Sequence, residues 1–161
     1  MTTDDETVAP RLQLAATALI NGSDLALAAL PRETGGILVG WYDGDTVVVT
    51  DVLPVLDKRA GGHHYSRNHK RAQRVLNQHR KQTADKNVGY VGEWHSHPAP
   101  HPPSRVDLDS LAELTEVTDQ TVALVVFAVN ADGAVSPLGA AGRRHGRTVT
   151  IQELVVESEP S

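Results

Sequence analysis

Two histidines separated by one serine, His95-Ser96-His97, follow a stretch of β-forming residues that begins at Asn87. In an extended chain alternate residues point to the same side, with their Cα atoms about 6.6 Å apart, so both imidazoles face one way. Two imidazoles can bind one Zn²⁺ at roughly 2.0 to 2.1 Å each, and a carboxylate from elsewhere in the chain can supply a third ligand. The segment therefore indicates a metal site, although a His-x-His pair is also common on solvated strands.

A serine and an aspartate lie a short distance further on. Pro98 cannot donate to a strand ladder and ends the strand, and a proline-rich loop then leads to Ser104 and Asp107. A serine with an acid three residues later is the pattern of an N-cap at the start of a helix, and the apolar spacing that follows predicts a helix from Ser104 to Glu116. Asp107 can therefore be explained by helix capping alone, as an alternative to a role at the metal site.

An upstream glutamate, Glu33, stands before Thr34-Gly35-Gly36-Ile37 at the mouth of a predicted strand. Alone it is most simply an exposed acid after a helix. The combination of this glutamate, His-Ser-His-Pro, a proline loop and Ser-x-x-Asp resembles the JAMM (MPN-plus) zinc metalloprotease family, in particular its prokaryotic JAB-type, deubiquitinase-like members. The resemblance covers residues 12 to 156, and loop 98–103 is one residue shorter than is usual in the family.

The resemblance implies a fold and a set of roles. The fold is α/β, a single-domain MPN sandwich of cytidine-deaminase-like type, with a mixed, curved β-sheet flanked by helices. The roles are one catalytic Zn²⁺ held by His95, His97 and Asp107 with an open fourth position, Glu33 as the general base, and Ser104 as a donor to the developing oxyanion. Because the loop is short, two substitute ligands stay open, Asp109 and, more weakly, His101. Ser96 points to the opposite side of the strand and is predicted to be structural.

The implied activity is hydrolysis of the amide bond after the C-terminal Gly-Gly of a ubiquitin-like protein, in deconjugation or precursor processing. Three other functions stay open. One is a peptidase acting on a sulfur-carrier protein in cysteine or cofactor biosynthesis, and another is a catalytically inactive MPN scaffold that keeps its zinc. The third is a nucleic-acid accessory protein that uses the basic helix described below.

Length and composition limit the choice further. A chain of 161 residues with 40% hydrophobic content is enough for one domain, which we expect at 10–156, after a disordered lead (1–9) and before a loose tail (157–161). The net charge of −5 argues against a general affinity for nucleic acid or anionic membranes. The absence of cysteine excludes disulfides, thiolate zinc sites and a cysteine nucleophile. With an acidic start and no apolar run as long as a membrane span, we predict a cytoplasmic protein.

The remaining elements follow from periodicity and turn residues. A short strand pattern at Leu12 and Leu14 precedes a helix that we expect to be broken or strained near Asn21-Gly22. This helix is predicted at Thr17–Leu30. The other predicted elements are hairpin strands Gly35–Tyr42 and Asp45–Leu53, a helix Ser66–Lys81, and strands Thr121–Val129, Ala134–Arg143 and Thr148–Val156.

The helix predicted at Ser66–Lys81 has a single apolar stripe formed by Ala72, Val75, Leu76 and His79. Basic residues crowd its other surfaces, as a solvated face or as a docking surface for an acidic partner. The neighbouring pair His63-His64 is interpreted as solvated loop histidines.

Overall fold

The computed structural model describes residues 10–55, 69–83, 87–116, 120–143, 147–151 and 154–157. Within them the elements are β1 (Arg11–Ala15), α1 (Ala16–Ala29), β2 (Gly35–Asp43), β3 (Thr46–Pro54), α2 (His69–Gln82), β4 (Gly89–His97), α3 (Arg105–Glu116), β5 (Val122–Val129), β6 (Val135–Arg143), β7 (Arg147–Ile151) and β8 (Leu154–Glu157). The predicted lead 1–9 and the pair His63-His64 lie outside the described residues, and β8 extends to the first residue of the predicted tail.

The eight strands form one mixed sheet in the order β7-β6-β5-β4-β2-β3-β1-β8. Three neighbouring pairs are parallel (β4 with β5, β1 with β3 and β1 with β8), and the other four are antiparallel. Helix α1 packs on one face of the sheet, and α2 and α3 pack on the other. This arrangement confirms the predicted α/β class with a mixed sheet flanked by helices.

The sheet is strongly curved, because its two edge strands are almost consecutive in the chain. Ile151 ends β7 at one edge and Leu154 begins β8 at the other, and residues three apart can be separated by no more than about 11 Å. Helix α1 contacts β3, β5, β6 and β8, so it lies in the concave side. The prediction of a single final strand at Thr148–Val156 is therefore wrong, because this segment contributes to two strands, β7 and β8. Apolar alternation in the sequence does not distinguish one strand from two.

The central strand β5 is buried along its whole length, as predicted. Val125 and Phe127 face α1 and join Trp94 in one cluster, whereas Leu124 and Val126 face α3 in another. A strand covered by helices on both faces shows no polar alternation.

Helix α1 is continuous, so the break predicted near Asn21-Gly22 is wrong. Gly22 is buried in one stripe with Ala18 and Ala26, and a Cβ added at Gly22 would overlap the ring of Phe127. The glycine therefore lets the helix approach β5 closely instead of interrupting the helix. Its cost in helix propensity, about 1 kcal/mol relative to alanine, is offset by burial of the aromatic ring.

On the opposite face α2 and α3 lie on the two sides of β4. Ile37 and Val39 of β2 pack with Ala72 and Leu76 of α2, which confirms the predicted stripe of that helix. Tyr90 of β4 contacts both this cluster and the α3 cluster. In the part of the chain that the structure describes, helices are too short or too polar for a membrane span.

Candidate metal centre

Strand β4 presents His95 and His97 on one side of the sheet. The strand runs through both histidines, and His95 pairs with Gly35 of β2 and Val126 of β5, so the pair sits on a central strand. Ser96 points to the other side, where its Oγ accepts a hydrogen bond from the Thr34 N–H at 2.9 Å. The buried serine thus fixes the segment that carries Glu33.

A backbone carbonyl in the proline loop orients His97. The Nδ1–H of His97 donates to the carbonyl oxygen of His101 at 2.8 Å, which directs Nε2 towards Asp107 and Glu33. Such a second bond fixes the tautomer and the ring orientation of a histidine ligand. The side chain of His101 is exposed, so this residue contributes through its backbone and is not placed as a substitute ligand.

Asp107 reaches the histidines from the first turn of α3. Its Oδ2 lies 3.2 Å from His95 Nε2 and 3.5 Å from His97 Nε2. Among the described residues, these three side chains form a group whose ligand atoms lie within 4.8 Å of one another. Asp109 is exposed on α3 and lies outside that group. The Ser-x-x-Asp register, and not the alternative at Asp109, brings a carboxylate to the site.

The separations of the three ligand atoms can be tested against zinc. Tetrahedral bonds of about 2.05 Å place any two ligand atoms about 3.3 Å apart. The observed values are 3.2 Å between the two Nε2 atoms, and 3.2 Å and 3.5 Å from these atoms to Asp107 Oδ2. The residues present therefore fit one tetrahedral metal ion with three protein ligands, the arrangement that leaves a fourth position for water or substrate.

The electrostatics of the metal-free site hold Asp107 ionised. Burial by itself raises the pKa of Asp107. The opposing effects are larger: hydrogen bonds from His95 and His97, the charge of His95 and the hydrogen bond from the Ser104 N–H together shift the pKa strongly downward. For His97, burial lowers the pKa, yet its bonds to Asp107 and to the His101 carbonyl, with the charges of Asp107 and Glu33, raise it overall. A cation is therefore favoured at this position.

Glu33 lies beside the three ligand atoms but outside their set. Its Oε1 is 3.8 Å from His97 Nε2, and its side chain is 16% exposed. It precedes β2, whose first residue Gly35 pairs with His95. The Glu33 carboxylate is therefore adjacent to the ligand group without being part of it.

Ser104 is exposed at the edge of the same site and caps α3. Its Oγ accepts the Asp107 N–H at 3.1 Å, and its own N–H donates to Asp107 Oδ2 at 2.7 Å. Because the hydroxyl accepts here, its proton can be donated to a group in the cleft. The positive end of the α3 dipole points to the same place.

These groups line a cleft with a volume of about 610 Å³. Its polar part is made by the five residues already described and by His101. Its apolar part consists of Pro98, Ala99, Pro102 and Val106. Val106 is 66% exposed. Sequence reasoning identified the five polar side chains but not the His101 carbonyl or the apolar wall; the proline content of the loop was the one available signal for that wall.

A mixed, curved sheet that carries a His-His-Asp group between a central strand and a helix N-terminus defines a JAB/MPN-type domain. The sequence matches the family described as prokaryotic homologs of the JAB domain over residues 16–138. The chain belongs to this family, which includes metalloisopeptidases, and the family resemblance noted in the sequence is confirmed.

A solved structure shows the same fold. The solution structure of protein DSY2949 from Desulfitobacterium hafniense superposes with a TM-score of 0.69 at 22% sequence identity, over 92% of this chain and 94% of that one. A comparison with curated proteins finds no match. The fold is thus supported by a relative of nearly the same extent.

Proposed function

We propose that this protein is a zinc-dependent peptidase or isopeptidase that hydrolyses the amide bond after the C-terminal Gly-Gly of a ubiquitin-like protein in the cytoplasm. The observation that carries the proposal is the site geometry: three ligand atoms at tetrahedral separations, with the Glu33 carboxylate adjacent to them but not among them. An open metal position next to an acid–base group is the arrangement of hydrolytic zinc sites.

The chain's own residues supply distinct parts of the reaction. Bound zinc supplies Lewis-acid chemistry, lowering the pKa of water and polarising a carbonyl group. Glu33 accepts the proton of the attacking water and returns it to the leaving amine. The Ser104 hydroxyl donates a hydrogen bond to the carbonyl oxygen as negative charge develops there. The N-terminus of α3 adds a favourable potential for the same charge.

The lining of the cleft is compatible with a tail without side chains. Pro98, Ala99 and Pro102 form a wall close to the ligand group, and a Gly-Gly segment can lie extended against such a wall with little steric conflict. Sulfur-carrier proteins end in the same dipeptide. Processing of such a carrier is therefore an alternative use of the same site, and the substrate assay has to include both classes.

The test is cleavage of reporter fusions joined after Gly-Gly, one built on a ubiquitin-like protein and one on a sulfur-carrier protein. We expect the zinc-loaded protein to cut after the second glycine, as read by mass spectrometry. A chelator should abolish the reaction and added zinc should restore it. Replacing the last glycine of the tail by valine provides the matched control and should block cleavage. One bound zinc without turnover on either fusion would instead support the inactive scaffold.

A further inference from the structure

The outer surface of α2 carries a line of cations, which we name the basic ridge: Lys70, Arg74 and Lys81. They lie on the side of the helix opposite the buried Ala72 and Leu76, and all three are exposed. The helix contains no aspartate or glutamate. Among the described residues, no ion pair involves any of the three.

The outer surface of α3 carries the opposite charge. Asp109, Glu113 and Glu116, the acidic ridge, lie opposite the buried Leu111 and Thr115 and are exposed. Within the described parts of the chain these acids also form no ion pair. Each ridge spans roughly two to three helical turns, or about 10 to 17 Å.

Several of the ridge charges oppose the helices that carry them. Lys70 lies in the first turn of α2 and Glu116 in the last turn of α3, where the helix dipole disfavours these signs, whereas Lys81 lies in the last turn of α2, where the dipole favours a cation. Like charges also stand four residues apart in each ridge, at Lys70 and Arg74 and again at Asp109 and Glu113, a spacing at which they repel. Helix stability alone therefore does not account for Lys70, Glu116 or the repelling pairs, which are consistent with a surface that binds another molecule.

The two ridges flank the strand that ends in the metal centre. Both helices cover the face of the sheet that carries His95 and His97, and Tyr90 of β4 touches the clusters under both. The first turn of α3 supplies Asp107 to the site. The last turns of α2 are anchored away from it, where His79 Nε2 lies 3.7 Å from Asp51 Oδ2. The cations and the acids are thus carried by the two helices that cover the sheet face on which the cleft opens.

We propose that the two ridges dock the folded part of the protein substrate, which presents an acidic patch to the basic ridge and a basic patch to the acidic ridge. The inference rests on the proposed function. Opposite potentials on two parts of one surface fix the orientation of an incoming protein and speed its association. A nucleic acid matches poorly, because its phosphates are repelled by the acidic ridge and by the net charge of −5.

Binding is tested with two labelled peptides, an oligoglutamate and an oligolysine, by fluorescence anisotropy at low and high salt. The basic-ridge variant combines Lys70→Glu, Arg74→Glu and Lys81→Glu. The acidic-ridge variant combines Asp109→Lys, Glu113→Lys and Glu116→Lys. Each reversal should weaken binding of its own peptide by about tenfold or more at low salt and strengthen binding of the other. A far-UV circular dichroism spectrum that matches wild type shows that each variant is folded. Arg11→Glu and Asp43→Lys, at exposed positions away from the ridges, are controls that should change neither affinity.

Kinetics connect the ridges to the site. Wild type and variants are compared on the Gly-Gly fusion and on a short fluorogenic Gly-Gly peptide amide that lacks a folded part. We expect the ratio of kcat/KM for the fusion to kcat/KM for the peptide to fall about tenfold in each ridge variant, mainly through KM. If wild type cleaves both substrates and this ratio does not change, the docking surface is refuted while the proposed function stands.

Other outcomes also decide the proposal. Wild type that cleaves neither substrate contradicts the proposed function, whereas the peptide titrations still test the ridges directly. Wild type could bind a short DNA duplex more tightly than oligoglutamate and lose that binding when the basic ridge is reversed. This result would refute a protein as the partner of the basic ridge. Sedimentation could also show a salt-sensitive dimer that either charge reversal abolishes. The partner of the ridges would then be a second copy of the chain, and the proposed docking of the substrate would be wrong.

Discussion

Ser104 and Asp107 exchange two hydrogen bonds across the first turn of α3, Ser104 N–H to Asp107 Oδ2 at 2.7 Å and Asp107 N–H to Ser104 Oγ at 3.1 Å. The same Oδ2 lies 3.2 Å from His95 Nε2. One carboxylate therefore caps a helix and completes the ligand group. The capping and metal-ligand interpretations of the Ser-x-x-Asp pattern are compatible, because both need this carboxylate at the start of the helix.

Substitutions at Ser104 separate its two roles. Ser104→Ala removes the cap and should lower the free energy of unfolding by about 1 kcal/mol, whereas Ser104→Gly should cost only a few tenths. Both remove the hydroxyl donor, so both should slow cleavage by roughly 10²- to 10³-fold. Urea unfolding and fusion cleavage measure the two effects. A glycine variant as active as wild type would show that the hydroxyl takes no part in the reaction.

Metal content should follow the ligand set. Wild type should bind about one zinc per chain, and His95→Ala, His97→Ala and Asp107→Ala should each lose it. Asp109→Ala, a carboxylate removed two positions further along the same helix, should keep the metal. Elemental analysis after gel filtration provides the readout. If Asp109→Ala loses zinc and Asp107→Ala keeps it, the assignment of Asp107 as the ligand is wrong.

Glu33→Gln should separate catalysis from metal binding. The glutamine is nearly isosteric and leaves the three ligands intact, so zinc content should match wild type. Cleavage should fall by about 10²- to 10⁴-fold, the usual contribution of general acid–base catalysis. Activity within a few fold of wild type would mean that another group accepts the proton, and loss of zinc would make Glu33 a ligand.

The pH dependence has opposite signs with and without metal. The pKa of His97 is raised above its ordinary value of 6.5. Protonated His97 therefore stabilises the metal-free fold fully at pH values below 6.5, and this stabilisation is lost as the pH rises through the raised pKa. The strongly lowered pKa of Asp107 keeps its charge throughout this window.

With a chelator present, His97→Gln should therefore lower Tm more in mildly acidic buffer than in mildly alkaline buffer. Zinc affinity, measured by competition titration, should rise with pH because the proton must leave the imidazole first. A Tm difference between the two proteins that does not change with pH would contradict the His97–Asp107 interaction in the metal-free fold.

Gly92 should not tolerate a side chain. A Cβ added there would overlap the backbone oxygen of Ala123 on the neighbouring strand β5, at the register where these two residues pair. Because backbone atoms cannot move aside without shifting β4, Gly92→Ala should cost about 1 to 3 kcal/mol of stability, measured by urea unfolding. Ala140→Gly, which removes a buried methyl from a strand on the other side of β5, serves as a comparison for a small change in the same sheet.

The sequence alone determined those parts of the site that depend on local rules. Alternation along a strand places His95 and His97 on one side and Ser96 on the other, and a capping pattern places Asp107 in the first turn of a helix. Each rule acts over a few residues, so it can be applied before the fold is known. The family resemblance supplied the link between these segments and Glu33.

Only the tertiary structure decided the features that depend on distant partners. Gly22 lies within helix α1 because a side chain at this position would overlap the ring of Phe127. The segment predicted as one final strand forms two, because β7 pairs with β6 and β8 pairs with β1. The carbonyl that orients His97 belongs to the backbone of His101, which no side-chain pattern reports. Local preference fixes which way a side chain points, whereas the partner it meets depends on how the curved sheet brings separate segments together.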